Sequence, residues 1–233
     1  MESDLSKNLA EIRRRIALAS MRSGRSEETV KLIAVSKTHP PGILKEAIDA
    51  GATVLGENKV QEAESKITEL GRDAAEWHLI GHLQSNKARK AVQLFDVIQS
   101  LDSHELARRL ERICGEEGRD ELPVFIEVDL AGEETKAGIP ESDLPQLIDF
   151  LKGCKHLCLR GLMIVPPYND DVEKTRPYFK RLREIRDRLL PDGELSMGMS
   201  HDFETAIEEG ATMVRVGTAI FGERNYKLGT NNY

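Results

Sequence analysis

Short apolar runs alternate with amphipathic stretches along almost the whole chain. Within the stretches, apolar residues return every three or four positions, as at Leu106, Leu110 and Ile113, which is the spacing of one helix face. The runs are nearly continuous, which is typical of parallel strands covered on the outside by helices. The eight runs are LIAVSK (32–37), TVLGE (53–57), EWHLIGHL (76–83), DVIQSLD (96–102), PVFIEVDL (123–130), LCLRGLMIV (157–165), ELSMGMS (194–200) and TMVRVGT (212–218).

This alternation of strand and helix predicts an α/β fold with a parallel sheet. Eight strand–helix units in just under about 250 residues indicate a single (β/α)8 TIM barrel spanning residues 1–233. An N-terminal helix is predicted within 1–20, and a loose tail at 226–233. Asn58, with Gln61 three residues later, resembles a capping box that opens the third helix. An open doubly wound sheet is the alternative, but no G-x-G-x-x-G follows the first strand, and no linker marks a second domain.

Composition narrows the class of protein further. The chain has 33 basic and 40 acidic residues, a net charge of −7 and only 5% aromatic residues, which argues against a nucleic-acid partner. No apolar run approaches the roughly 18 residues of a membrane span, and the first residues lack the apolar segment of a secretory signal. Three cysteines, an odd number, suit a reducing compartment, so we expect a cytoplasmic protein. The C-x-H-x-C cluster at 154–158 lacks a second Cys/His pair at zinc spacing, and no metal site is predicted.

The segment 195–223 carries two polar loops at points where a strand gives way to a helix. Ser200 precedes a predicted helix at 201–209, while Gly217 and Thr218 end the eighth strand. Backbone N–H groups at helix starts bind anions, and this fold frequently holds phosphate after its seventh and eighth strands. We therefore predict a phosphate site here. The alternative is an ordinary helix cap at Ser200 and an ordinary turn at Gly217.

Lys37 is the only lysine at the carboxyl end of a predicted strand, where the active face of this fold lies. In an apolar pocket the ammonium form is disfavoured, so the pKa of the lysine falls and its neutral amine can form a Schiff base with an aldehyde. Alternatively, Lys37 simply extends into solvent. A Schiff-base lysine together with a phosphate site fits pyridoxal 5′-phosphate, and it also fits a sugar-phosphate aldolase.

A set of longer motifs carries a resemblance to one known family. The motifs are LIAVSKTHP, GENKVQEA, WHLIGHLQSNKAR, SLDS, GLMIVPP, LSMGMSHDFETAI and VRVGTAIFGER. With these motifs in this order, the chain resembles the pyridoxal phosphate homeostasis proteins (the YggS/PROSC family). The resemblance implies a fold type III PLP-binding barrel, like the barrel domain of alanine racemase. It also implies that pyridoxal 5′-phosphate is held as an internal aldimine on Lys37.

The same resemblance implies roles for further residues of the site. Ser200, Gly217 and Thr218 are expected to contact the phosphate. Arg215 is expected to face the pyridine nitrogen of the cofactor. Asn58 is expected in the cofactor pocket, with His82 near it.

Arg215 decides what chemistry the resemblance allows. Arginine keeps its proton, so a guanidinium facing the ring nitrogen disfavours a second positive charge there. The ring is then a weak electron sink, and we expect Arg215 to damp the reactivity of the cofactor. The alternative is a salt bridge from Arg215 to an acid such as Asp102 or Glu57.

Two functions fit these expectations. The first is a monomeric pyridoxal phosphate-binding protein of vitamin B6 homeostasis, which limits the free aldehyde, hands the cofactor to apo-enzymes and has no marked catalytic activity. The second is a pyridoxal phosphate-dependent amino-acid racemase of the alanine racemase type. Exchange of the Cα hydrogen of amino acids distinguishes the two.

Overall fold

The structure, a computed structural model, describes residues 4–132 and 137–222. Its eight long strands are all parallel and form one closed barrel, because each pairs with its neighbours along the chain and the last pairs with the first. The strands are β1 (Lys31–Val35), β2 (Val54–Glu57), β3 (Glu76–Leu79), β4 (Val97–Leu101), β5 (Leu122–Asp129), β6 (Leu157–Met163), β7 (Glu194–Met199) and β8 (Met213–Val216). The (β/α)8 barrel predicted from the alternating pattern is confirmed.

Helices surround this barrel and connect its strands. They are α1 (Asp4–Arg22), α2 (Pro41–Asp49), α3 (Val60–Leu70), α4 (Ala88–Leu94), α5 (His104–Glu117), α6 (Leu144–Lys152), α7 (Arg176–Leu189), α8 (Phe203–Glu208) and α9 (Thr218–Phe221). The apolar helix face predicted from the spacing of Leu106, Leu110 and Ile113 is confirmed, because all three residues are buried in α5. None of the helices in the described ranges combines the length and apolarity that crossing a membrane requires.

The core has two parts, as expected for a barrel covered by helices. A large apolar cluster lies between the strands and the helices, with Trp77, Phe95 and Phe179 fully buried in it. A second cluster of six side chains is contributed by six different strands: Ile33, Val54, Val97, Phe125, Met163 and Met213. Strands whose residues are buried on both faces read as continuous apolar runs, which explains why the sequence pattern was so clear.

β6 contains a β-bulge and, directly after the extra residue, a glycine that the packing of the strand requires. Val124 of β5 pairs with Leu159, but the next residue, Phe125, pairs with Gly161, so Arg160 is extra. A Cβ atom on Gly161 would lie only 2.1 Å from the carbonyl oxygen of Glu194. The close approach of β6 to β7 therefore requires glycine at this position.

We expect Gly161→Ala to lower the free energy of unfolding by about 1–3 kcal/mol, because the added methyl group forces the two strands apart. Gly42→Ala is the matched control. Gly42 lies in α2, and a Cβ atom added to it would have no atom within 4 Å, so alanine there is neutral or stabilising. Urea unfolding of both variants measures the difference, and equal stabilities would contradict the packing argument.

Some local expectations need correction. β1 ends at Val35, so Lys37 lies in the turn beyond the strand and not at its last residue. The predicted N-terminal helix runs two residues further than expected, to Arg22. The loop after β5 contains a two-residue strand, Ile139–Pro140, that pairs with β5 outside the barrel. The predicted tail at 226–233 lies outside the described residues.

Candidate functional site

A cavity of about 290 Å³ opens at the carboxyl end of the barrel. Parallel strands bring their carboxyl ends to one rim, so residues far apart in sequence meet there. Six of the residues predicted for the site line this cavity: Lys37, Asn58, Ser200, Arg215, Gly217 and Thr218. The seventh, His82, lines an adjoining cavity of about 220 Å³, which shares Asn58, Ile80 and Val165 with the first.

Lys37 occupies the turn between β1 and α2. Its side chain is half-buried, while the preceding Ser36 is fully buried. The following residue, Thr38, has a φ of 70°, a left-handed conformation that is rare for a β-branched residue. The turn therefore has an unusual backbone, which places Lys37 at the wall of the cavity.

Asn58 is available to the cavity because it does not cap a helix. The predicted capping box is wrong: α3 begins at Val60, its N-cap residue is Lys59, and no side chain caps it. The Oδ1 atom of Asn58 is buried and has no hydrogen-bond partner within the described residues. A buried carbonyl oxygen without a donor is costly, which marks Asn58 as a side chain that a ligand can satisfy.

The loops after β7 and β8 meet at the part of the rim beside β1, because β8 pairs with β1. The backbone N–H of Gly217 donates a hydrogen bond to Oγ of Ser200 over 3.1 Å, which ties the two loops together. Thr218 is the first residue of α9, so its N–H has no partner inside that helix. The predicted helix at 201–209 is shorter, starting at Phe203 after the N-cap residue Asp202. Ser200 is thus not that helix cap.

Arg215 is almost completely buried, with 3% of its surface exposed. Its Nη1 donates to Oγ of Ser196 over 2.7 Å and its Nη2 donates to the carbonyl oxygen of Ile164 over 2.8 Å. Burial lowers the pKa of Arg215 to about 10, against the opposite effects of the nearby Glu127 and Asp202 charges. The guanidinium therefore stays charged at neutral pH.

The salt bridge considered for Arg215 does not form with either acid. Asp102 bonds to Nδ1 of His82 over 2.9 Å, and Glu57 pairs with Lys66 over 2.6 Å. Within the described ranges, Arg215 takes part in no ion pair closer than 4.0 Å. Its charge is instead presented to the cavity.

A chain of hydrogen bonds runs from Arg215 through the barrel interior. Ser196 accepts from Arg215 and donates to Oε1 of Gln99 over 2.6 Å, and Nε2 of Gln99 lies 2.7 Å from Nδ1 of His78. Nε2 of His78 then lies 2.8 Å from Glu76 at the opposite end of the barrel. This contact with His78 lowers the pKa of Glu76 to about 2. The chain orients the guanidinium and ends on a carboxylate.

Glu127 is a site residue that the sequence reasoning missed. It lies in β5, lines the smaller cavity, and is 8% exposed, with Oε2 lacking a partner in the described part of the chain. Burial raises the pKa of Glu127 to about 7, although the nearby Arg215 charge acts to lower it. An acid inside the apolar run PVFIEVDL was the available signal, since buried acids are rare.

This shift predicts a dependence of stability on pH. Folded Glu127 keeps its proton up to about pH 7, whereas an unfolded glutamate ionises near 4.5. The folded state thus binds more protons between these values, so the free energy of unfolding falls as the pH rises through this window. Glu127→Gln removes that loss, and its stability relative to wild type should improve by up to about 3 kcal/mol from pH 4.5 to 8. Denaturant unfolding of the ligand-free proteins measures the gap, and a gap independent of pH would contradict the assignment.

The described residues contain no group of three or more His, Cys, Asp or Glu side chains arranged to hold a metal ion. The three cysteines, Cys114, Cys154 and Cys158, are free thiols.

Comparisons with known proteins found matches over almost the whole chain. Residues 7–225 match the family described as "Alanine racemase, N-terminal domain". The pyridoxal phosphate homeostasis protein of Aquifex aeolicus is 44% identical over 225 residues, covering 94% of this chain and 97% of the relative. That of Escherichia coli K12 is 42% identical, covering 96% of this chain and 98% of the relative.

Solved structures give the same result. PipY of Synechococcus elongatus PCC7942, solved with pyridoxal phosphate (PLP) bound, aligns with a TM-score of 0.78 and 44% identity, covering 91% of this chain and all of PipY. The alanine racemase of Corynebacterium glutamicum aligns with a TM-score of 0.67 at 18% identity, covering 93% of this chain but 62% of the racemase. The latter likeness extends to the fold alone.

Proposed function

The chain belongs to the pyridoxal phosphate homeostasis protein family, and on this premise we propose that it binds pyridoxal 5′-phosphate and acts in the homeostasis of vitamin B6. The observation that carries the proposal is the meeting of a lysine, a buried arginine and two polar loops at one cavity. A volume of about 290 Å³ is at the low end of the range for small-molecule pockets, which suits a ligand of this size.

The residues present fit the cofactor chemically. The hydroxyl of Ser200 and the N–H and hydroxyl of Thr218 match a phosphate, which needs several N–H and O–H groups, and Gly217, without a side chain, allows the phosphate to approach the backbone. The unpartnered Oδ1 of Asn58 offers a further polar contact. Bound pyridoxal phosphate supplies an aldehyde carbon, and Lys37 is the amine that bonds to it.

Arg215 has a separate part in this proposal. Its guanidinium stays charged and is oriented by Ser196 and Ile164, so it holds a positive charge at one fixed place beside the cavity. Arg215 would donate a hydrogen bond to a ring nitrogen held against it and would disfavour protonation of that nitrogen. Arg215 thereby limits the chemistry of the site and favours holding the cofactor over using it.

The carrier role is favoured over racemisation by the relatives that the chain matches. Two pyridoxal phosphate homeostasis proteins are 44% and 42% identical to it and are covered over 97% and 98% of their length. The proposal includes a monomer in the cytoplasm that releases pyridoxal phosphate to apo-enzymes. In this proposal His82 lies near the cofactor pocket, in the wall of the adjoining cavity.

The deciding experiment incubates the cofactor-loaded protein with a panel of L-amino acids in D₂O. We expect exchange of the Cα hydrogen to be no more than about tenfold faster than with free pyridoxal phosphate, because Arg215 weakens the electron sink. NMR of the amino acids measures the rate, with Lys37→Ala as the control for exchange caused by released cofactor. Exchange that exceeds this limit of about tenfold over free pyridoxal phosphate would support the racemase alternative instead.

A further inference from the structure

A buried cluster of charges lies directly beneath the turn that carries Lys37. Lys66 of α3 is 3% exposed, and its Nζ lies 2.6 Å from Oε1 of Glu57 and 2.7 Å from Oε1 of Glu62. Glu57 is fully buried, and its Oε1 also accepts a hydrogen bond from Oγ of Ser36 over 2.5 Å. The cluster joins α3, the end of β2 and the end of β1.

The cluster holds the backbone on both sides of Lys37. Nζ of Lys66 donates to the carbonyl oxygen of Ser36 over 2.8 Å. On the other side, the backbone N–H of Thr38 donates to Oε1 of Glu62, the same oxygen that Lys66 contacts. Two side chains of one helix therefore hold the residues immediately before and after Lys37.

The backbone conformation of Thr38 depends on these hydrogen bonds to α3. A non-glycine residue at φ 70° persists only where its surroundings impose that conformation. The bond from Thr38 to Glu62 is such a constraint, and Lys66 keeps Glu62 in place. Without the cluster, the turn can relax to the ordinary right-handed region, and Lys37 then moves relative to the cavity.

A purely structural role explains the cluster less well. Burying an ammonium and a carboxylate is costly, and a well-packed apolar pair of similar size is often as stable or more so. Burial raises the pKa of Glu57, and the Oε2 atom of Glu57 has no partner in the described residues, so this position carries a real cost. Packing α3 on the barrel does not require such an arrangement, whereas holding two backbone groups at defined places does.

We propose that Lys66, together with Glu57 and Glu62, is a positioning residue that holds Lys37 in place for bonding to the cofactor. The inference rests on the proposed function, in which the amine of Lys37 bonds to the aldehyde carbon. In that reaction the nitrogen takes the place of the aldehyde oxygen, which leaves as water with the two amine hydrogens. Lys66 does not touch the reacting atoms; it acts through the backbone of the turn.

The test separates covalent bonding from the binding of the ring and phosphate. Pyridoxal 5′-phosphate bonds to lysine, whereas pyridoxine 5′-phosphate lacks the aldehyde and binds only non-covalently. We expect Lys66→Met to slow covalent bonding, followed by absorbance, at least tenfold, and to change the Kd for pyridoxine 5′-phosphate less than twofold. Lys90→Met is the matched control. Lys90 lies in α4 and pairs over 2.9 Å with Glu64 of α3, the helix that carries Lys66, but it is not part of the cluster. It should leave both quantities unchanged.

A second variant keeps the inference testable if Lys66→Met does not fold. Glu62→Ala removes the acceptor for Thr38 and one of the two carboxylate partners of Lys66, at a partly exposed position of α3, and should slow covalent bonding at least threefold with the pyridoxine 5′-phosphate affinity retained. Equal losses for both ligands, or no loss for either, would overturn the positioning role. Borohydride reduction and mass spectrometry of wild type give the separate check: a label away from Lys37 overturns the proposed function and the inference with it.

Discussion

Lys37→Ala abolishes the borohydride-trapped adduct of pyridoxal phosphate and leaves a weaker, non-covalent affinity for the cofactor. The adduct disappears because the amine that bonds to the aldehyde is gone, and no other lysine of the described residues lines the cavity. Affinity persists because Ser200, Gly217 and Thr218 belong to the separate loops after β7 and β8, and the hydrogen bond that ties these loops together does not involve Lys37. We expect the dissociation constant to rise by about tenfold to a hundredfold, that is about 1.4–2.8 kcal/mol.

Three measurements check this expectation. Mass spectrometry after borohydride reduction locates the adduct, absorbance follows the covalent bond, and equilibrium dialysis gives the affinity. Lys59→Ala is the control, because Lys59 is exposed and follows Asn58 directly in the chain. A wild-type adduct on a different lysine would contradict the assignment of Lys37, and complete loss of affinity in Lys37→Ala would contradict the separate phosphate site.

Arg215→Glu is expected to change both the reactivity and the stability of the protein. A carboxyl group at this position can hold a proton on the ring nitrogen, which makes the ring a stronger electron sink. We expect the cofactor absorbance to shift and Cα exchange of amino acids to accelerate at least tenfold. Stability should fall by about 3–5 kcal/mol, because the buried guanidinium with its two hydrogen bonds is replaced by an acid near Glu127 and Asp202.

Arg215→Gln separates these two effects. Glutamine also removes the buried cation and lowers stability, but it offers no carboxylate to protonate the ring nitrogen. Exchange faster in Arg215→Gln than in wild type, and faster still in Arg215→Glu, measured with the cofactor-loaded proteins, would support the damping role. If Arg215→Glu left the spectrum and the exchange rate unchanged, the damping hypothesis would be wrong.

The strand ends made much of the site predictable. Lys37, Ser200 and Gly217 follow apolar runs that had to be parallel strands, and such strands deliver their carboxyl ends to one rim. Their grouping around one cavity follows from that topology. Their roles toward the cofactor were expected from the family resemblance and stay predictions here.

Two features could not be predicted in this way, because each depends on atoms that are distant in sequence. The buried charge cluster joins Lys66 to Ser36, 30 residues earlier. The interior chain joins Ser196 to Gln99, 97 residues apart. Glu127 was overlooked because its apolar run indicated only a buried strand, and a pattern of hydrophobicity does not say which buried acid lacks a partner.

The order of apolar and polar residues was sufficient for the barrel, because burial of each strand on both faces and of each helix on one face is a property of local spacing. The same order was also sufficient to predict which strand ends form the rim of the barrel. Tertiary structure alone decided that Arg215 has no carboxylate partner among the described residues, that Asn58 is not a helix cap, and that the backbone around Lys37 is held by α3. These outcomes depend on distances and directions of hydrogen bonds, which closure of the barrel sets and which linear spacing does not encode.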